Sequence, residues 1–117
     1  MKVIFHLESC KTCQKILKEL EPLDGVTLRE IKSKGITPEE LESMRALTSS
    51  YEDLFSRRAM LFRQRGLNNQ ELGEADYKKL ILEHYTFLKR PVAIVDDQIF
   101  IGNAKKQVEG AKAALHS

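Results

Sequence analysis

Cys10 and Cys13 are the residues of this chain whose type and spacing can carry covalent chemistry. The segment Cys10-Lys11-Thr12-Cys13 follows the apolar run Val3-Ile4-Phe5 and precedes a helical pattern that starts near Lys11. A C-x-x-C that opens a helix at the end of a first strand puts one thiol at the exposed helix start and the other about one turn inward. The amides of a first helical turn have no partners within the helix, and the positive end of the helix dipole lies among them. A thiolate is stabilised there, so Cys10 is expected to ionise below the pKa of a free cysteine and to act as a nucleophile. Cys13, one turn on, is placed to attack a mixed intermediate on Cys10 and release it as an intramolecular disulfide. Zinc would need four ligands; the chain has no third cysteine, and His6, His84 and His116 are scattered, so no metal site is expected.

The elements that must position these thiols can be read from hydrophobic period. Residues 2–7 read as a strand, 12–20 as a helix with Cys13, Ile16, Leu17 and Leu20 on one face, and 26–31 as a half-buried strand, a βαβ unit with parallel strands. Thr37-Pro38-Glu39-Glu40 carries the signals of a helix start, with Thr37 as N-cap and a glutamate three positions on. That helix is expected to reach about Ala46. Three further helix-like segments, 51–57, 58–65 and 76–83, are broken by Gly66 and by Asn68-Asn69-Gln70. The period then returns to two: residues 91–95, an Asp96-Asp97 turn and residues 99–102 read as a β-hairpin. A last helix over 103–115 is expected, with Asn103 as N-cap. The order β-α-β, helices, β-β-α is the thioredoxin arrangement, an α/β fold, with a helical insertion at about residues 37–86.

Length and composition agree with one domain over residues 1–117: 42% of the 117 residues are hydrophobic, enough for a single core without staples. Nineteen basic residues (Lys and Arg) against seventeen acidic ones leave a formal net charge of +2, too slight to argue for direct nucleic-acid contact. No apolar stretch approaches membrane-spanning length and no leader pattern precedes the first strand, so a cytoplasmic protein without membrane association is expected. A lone C-x-x-C in that reducing compartment reads as catalytic or redox-sensing.

Four local patterns carry a family resemblance: Phe5-His6 ahead of Cys10, the C-x-x-C itself, Ser56-Arg57-Arg58 followed by Phe62-Arg63, and Leu88-Lys89-Arg90-Pro91-Val92 before the hairpin. Together they resemble the glutaredoxin-dependent arsenate reductase (ArsC) family and its relatives, the Spx redox regulators, over essentially the whole chain. The resemblance implies a thioredoxin-like fold and a cis peptide bond before Pro91, beside the reactive cysteine. It implies that Arg58, Arg90 and His6 form the binding site of an oxyanion substrate and that Arg90 also supports the Cys10 thiolate. His6 is implied to lie near that thiolate and to assist it when protonated. No bound cofactor is implied; electrons come from glutathione with glutaredoxin, or from thioredoxin. The chain also departs from the arsenate reductases. Leu7-Glu8-Ser9 stands where they carry Asn-Pro-x, Gly102-Asn103-Ala104-Lys105 where they carry a third arginine, and Cys13 where they usually carry Ser or Thr. Two functions therefore stand side by side. One is a thiol-dependent oxidoreductase with Cys10 as nucleophile and Cys13 resolving, acting on arsenate or another oxidised substrate. The other is an Spx-like redox-sensing transcriptional regulator that binds the α subunit of RNA polymerase.

Overall fold

In a computed structural model, which describes residues 1–117, the apolar run Val3-Ile4-Phe5 is the buried middle of strand β1 (Lys2–His6). A strand whose side chains are buried on both faces reads as a continuous apolar run, and β1 is such a strand because it lies inside a sheet. With β2 (Thr27–Glu30), β3 (Val92–Val95) and β4 (Gln98–Ile101) it forms one four-stranded sheet in the order β2-β1-β3-β4. Strand β2 is parallel to β1, and the pairs β1 with β3 and β3 with β4 are antiparallel. Five helices complete the chain: α1 (Lys11–Glu19), α2 (Pro38–Arg45), α3 (Met60–Gln64), α4 (Glu74–Glu83) and α5 (Lys105–Leu115). This is the thioredoxin-like α/β arrangement. The chain divides into two compact units, a sheet unit of Met1–Lys34 with Arg90–Ser117 and a helical unit of Gly35–Lys89.

In the sheet unit, alternation along the strands puts Ile4 of β1 with Ala93 and Val95 of β3 on one face, where Ile16 of α1, Leu20 at its C-terminal cap, and Ala111 and Leu115 of α5 bury them. Phe100 of β4 and Val108 of α5 pack against the edge of this cluster. Strand β3 is buried along its whole length, as an interior strand must be. Strand β2 differs from its expected half-buried state: it is an edge strand, Thr27 and Leu28 are exposed, and it is two residues shorter than its apolar pattern. The hairpin turns at Asp96, whose φ of 56° is left-handed, and its carboxylate accepts the amino terminus at 2.8 Å.

The helical unit departs from its sequence pattern chiefly before α3, which itself covers only Met60–Gln64 of the expected 58–65. Residues 51–57 are not a helix. Only a 3-10 turn at Glu52–Leu54 forms, after which Phe55 is extended and bridges Leu88. The Ser56 amide donates to the Phe87 carbonyl and the Lys89 amide to the Leu54 carbonyl, both at 2.8 Å. Phe55 explains the change: fully buried, it touches Phe62, Tyr77 and Phe87 with ring centroids at 5.9, 4.8 and 5.4 Å, and an extended backbone delivers it there. Helix α2 keeps its expected start, with the Thr37 hydroxyl accepting the Glu40 amide at 3.1 Å and the Glu40 carboxylate accepting the Thr37 amide at 3.0 Å. Helix α4 starts two residues before its pattern because the Asp76 carboxylate accepts the Gly73 amide at 2.8 Å. The final helix corrects another expectation. Ala104, not Asn103, precedes its first turn, and Gln107 reaches back to accept the Ile101 amide at 3.0 Å.

Gly110 in α5 lies against the Phe100 ring so closely that a Cβ there would sit 2.7 Å from Cε1. A glycine inside a helix costs about 1 kcal/mol relative to alanine, so its presence marks the close approach. Gly110→Ala is expected to destabilise the protein by about 1 kcal/mol net, overpacking of about 1–3 kcal/mol outweighing the gain in helix propensity. In a Phe100→Ala background the same substitution is expected to stabilise. Urea denaturation of the four proteins checks both signs, and stabilisation by Gly110→Ala alone removes the packing account.

Candidate active site

Strand β1 delivers the chain to the start of α1, and Cys10 occupies the position just before the first helical residue, with extended φ and ψ of −86° and 117°. Its amide donates to the Leu7 carbonyl at 3.0 Å, closing a turn over residues 7–10, and its carbonyl accepts the Gln14 amide at 3.0 Å. Cys10 is partly exposed, whereas Cys13 is fully buried. Both are free thiols.

The two thiols are displaced in opposite directions. For Cys10, partial burial is the largest single influence and opposes ionisation, but it is outweighed by hydrogen bonding to the thiolate. The Cys13 amide, the Cys13 thiol, the Thr12 amide and the Arg90 guanidinium all favour the charged sulfur, and the net pKa is lowered. Cys10 makes no regular side-chain cap, so the helix-start amides act on it through the weaker contacts typical of sulfur. For Cys13, burial dominates and pushes the pKa up to about 11, and the negative charge of Cys10 pushes the same way. The Leu7 amide and the charge of Arg90 oppose this without reversing it. Cys10 is thus the more readily ionised thiol, and its neighbour is held as an S–H.

Antiparallel pairing in the register Phe5 with Val92 sets the residues before β3 beside those after β1, which brings Arg90 to Cys10 across the sheet. The Arg90–Pro91 peptide bond is cis, as is Glu21–Pro22. Arg90 Nε is buried without a hydrogen-bond partner in the protein, and so is His6 Nδ1. His6 ends β1 in register with Glu30 of β2. Cys10, Cys13 and Arg90 therefore come together in the sheet unit, with Pro91 beside Arg90 in the chain. Arg58 belongs to the helical unit, exposed, next to Ala59 at the start of α3.

Sequence reasoning passed over Glu30. Its carboxylate accepts the amides of Glu8 at 3.0 Å, Lys32 at 2.7 Å and Ser33 at 3.2 Å. Its pKa lies below the usual glutamate value, chiefly because of the Glu8 amide. The only sequence signal was an acidic residue ending an apolar strand, a common pattern. No group of three or more His, Cys, Asp or Glu side chains gathers as metal ligands, and no helix is long and apolar enough to cross a membrane.

The ArsC family model matches residues 5–111. Among curated proteins the chain is 32% identical over 104 residues to global transcriptional regulator Spx 2 of Bacillus anthracis, covering 87% of this chain and 79% of that one. A solution structure of an arsenate reductase (ArsC) related protein from Brucella melitensis superposes with a TM-score of 0.68 at 25% identity, covering 93% of this chain and 92% of that one. An ArsC family related protein from Bacteroides fragilis superposes with a TM-score of 0.79 at 22% identity, covering 94% and 96%; at that identity the likeness speaks for the fold.

Two outcomes follow from the thiol electrostatics. Arg90→Ala is expected to raise the Cys10 pKa by up to about one unit, because Arg90 ranks below the helix-start amides among the groups that favour the thiolate. Thiolate absorbance against pH in a Cys13→Ser background reads the shift, and an unchanged titration removes Arg90 from the site. For Cys13 the folded pKa lies above the unfolded value near 9, so the fold favours the protonated thiol. That stabilisation is complete below pH 9 and is lost as pH rises from 9 toward 11. Over this window the wild type is expected to lose on the order of 1–2 kcal/mol relative to Cys13→Ala. Urea denaturation at pH 8, 9 and 10 tests this, and parallel pH curves would contradict it.

Proposed function

The chain belongs to the ArsC family, as an Spx-like thioredoxin-fold member, and from that premise we propose that it is a thiol-dependent oxidoreductase with Cys10 as nucleophile and Cys13 as resolving thiol. The observation that carries this reading is the placement of the two free thiols one turn apart at the start of α1, Cys10 partly exposed and Cys13 buried. The Cys10 thiolate attacks an electrophilic sulfur, or the central atom of an oxyanion such as arsenate, and the displaced group leaves with its electron pair and takes up a proton. Arg90 donates to negative charge on the substrate through its guanidinium, which already lies beside the Cys10 sulfur. Once Cys10 is bonded its charge is gone, and with it the Coulombic push that helps keep Cys13 protonated. Cys13 then gives up its proton to the departing group and attacks Cys10 Sγ. The S–S bond forms, the reduced substrate leaves with the bonding pair, and two electrons have passed from the thiols to the substrate. Glutathione with glutaredoxin, or thioredoxin, returns the pair to the dithiol.

A second reading has its own support, since the B. anthracis relative at 32% identity is named a transcriptional regulator. In that reading the same dithiol senses oxidation, and the Cys10–Cys13 disulfide alters binding to the α subunit of RNA polymerase. Turnover separates the two. Reductant consumption with arsenate, in the presence of glutathione and glutaredoxin, is expected for the oxidoreductase and is to be lost in Cys10→Ser. Redox-dependent capture of RNA polymerase without arsenate turnover favours the regulator.

Both readings require the thiols to react in order. Iodoacetamide near neutral pH is expected to label Cys10 faster than Cys13, and mild oxidation to give an intramolecular disulfide. Peptide mass spectrometry measures both. Faster labelling of Cys13, or covalent dimers as the main oxidation product, overturns the assignment of nucleophile and resolving thiol.

A further inference from the structure

Two side chains hold the backbone of Glu8, one at its amide and one at its carbonyl. Glu30, ending β2, accepts the Glu8 amide through Oε2 at 3.0 Å, and its Oε1 is fixed by the Lys32 and Ser33 amides at 2.7 and 3.2 Å. Gln14, in α1, donates Nε2 to the Glu8 carbonyl at 2.7 Å. Glu8 and Ser9 are exposed, so the turn over residues 7–10 has little apolar cover at its tip. Polar anchoring is what remains to fix it. The amides that favour the Cys10 thiolate belong to α1, and their hold on sulfur depends on where this turn sets Cys10 against the helix start.

We propose that Glu30 and Gln14 are paired positioning residues for Cys10: by tethering the amide and the carbonyl of Glu8 to β2 and α1 they fix the turn that presents the sulfur to the first turn of the helix. The inference rests on the reading of Cys10 as the reactive thiol. The clamp and plain electrostatics make opposite demands. Glu30 is an anion, so if it acted through its charge its removal would ease formation of the thiolate and lower the Cys10 pKa. If it acts as a clamp, removal loosens the turn, the helix amides lose their alignment, and the pKa rises. Gln14 is neutral and reports on the clamp alone.

The experiment follows Cys10 alkylation by iodoacetamide against pH in the full chain, with peptide mass spectrometry resolving Cys10 from Cys13. Glu30→Ala and Gln14→Ala are each expected to raise the Cys10 pKa by about half a unit or more. The double variant is expected to shift no further than the larger single, because both act through the backbone of one residue in one turn. Glu30→Gln keeps an oxygen for the Glu8 amide and is expected to titrate at or below the wild-type value. An unchanged or lowered pKa in the alanine variants, additive shifts in the double variant, or a rise in Glu30→Gln matching that of Glu30→Ala overturns the proposal. Should Glu30→Ala fail to fold, Gln14→Ala at its exposed helical position decides. Cys10 is read whether or not it is the faster thiol, so failure of the clamp is distinct from failure of the nucleophile assignment, which shows as faster labelling of Cys13 in the wild type.

Discussion

The antiparallel pairing of β1 with β3 is the constraint on which the thiol site depends. Cys10 follows β1 and Arg90 precedes β3, so the two are far apart in the chain. The register that sets Phe5 opposite Val92 turns that separation into proximity. A shift of one residue would exchange the two faces of β3. Ala93 and Val95 would then leave the cluster under α1 and α5, and the approach of Arg90 to Cys10 would be lost with them. The same burial that fixes the register therefore fixes the electrostatics of the sulfur.

Within that frame, the difference between the two cysteines comes from depth along one helix. Both see the same helix start and the same arginine. Cys10 remains partly exposed, and its hydrogen bonds outweigh desolvation; Cys13, fully enclosed, reverses the balance. Burial of an anion is costly enough that a single turn of displacement decides which thiol carries the charge. The surrounding polar contacts work at the level of the backbone, on the amides of Glu8, Thr12 and Cys13.

Much of this was legible in the sequence where local rules agree with the fold. The C-x-x-C at a strand-to-helix junction, the Thr37 helix start and the hairpin around Asp96-Asp97 follow from residue chemistry within a few positions of each other. The misses share a cause. Tyr51–Arg57 carries helical spacing, but Phe55 is drawn into an aromatic cluster with Phe62, Tyr77 and Phe87, and tertiary packing overrides the local pattern. Asn103 has the side chain of a helix cap, yet Gln107 satisfies the Ile101 amide and the helix begins one residue later. Glu30 was illegible because its partners are backbone amides, which leave no trace in the pattern of side chains.

The division of the chain into a contiguous helical unit and a sheet unit built from both ends has a consequence for the order in which the protein can assemble on the ribosome. Residues 35–89 hold all the members of their aromatic cluster, and that unit is complete in sequence once its last residue has emerged. The sheet unit cannot close at that stage, since β1 still lacks its neighbour β3 and α1 lacks α5. Until the last quarter of the chain is made, β1 presents an unpaired apolar edge and Cys10 lacks Arg90. Non-local pairings of this kind form late and leave strand edges exposed in the interval. Arg90 reaches the thiols last, so a nascent chain carries them without that positive charge until synthesis is almost finished.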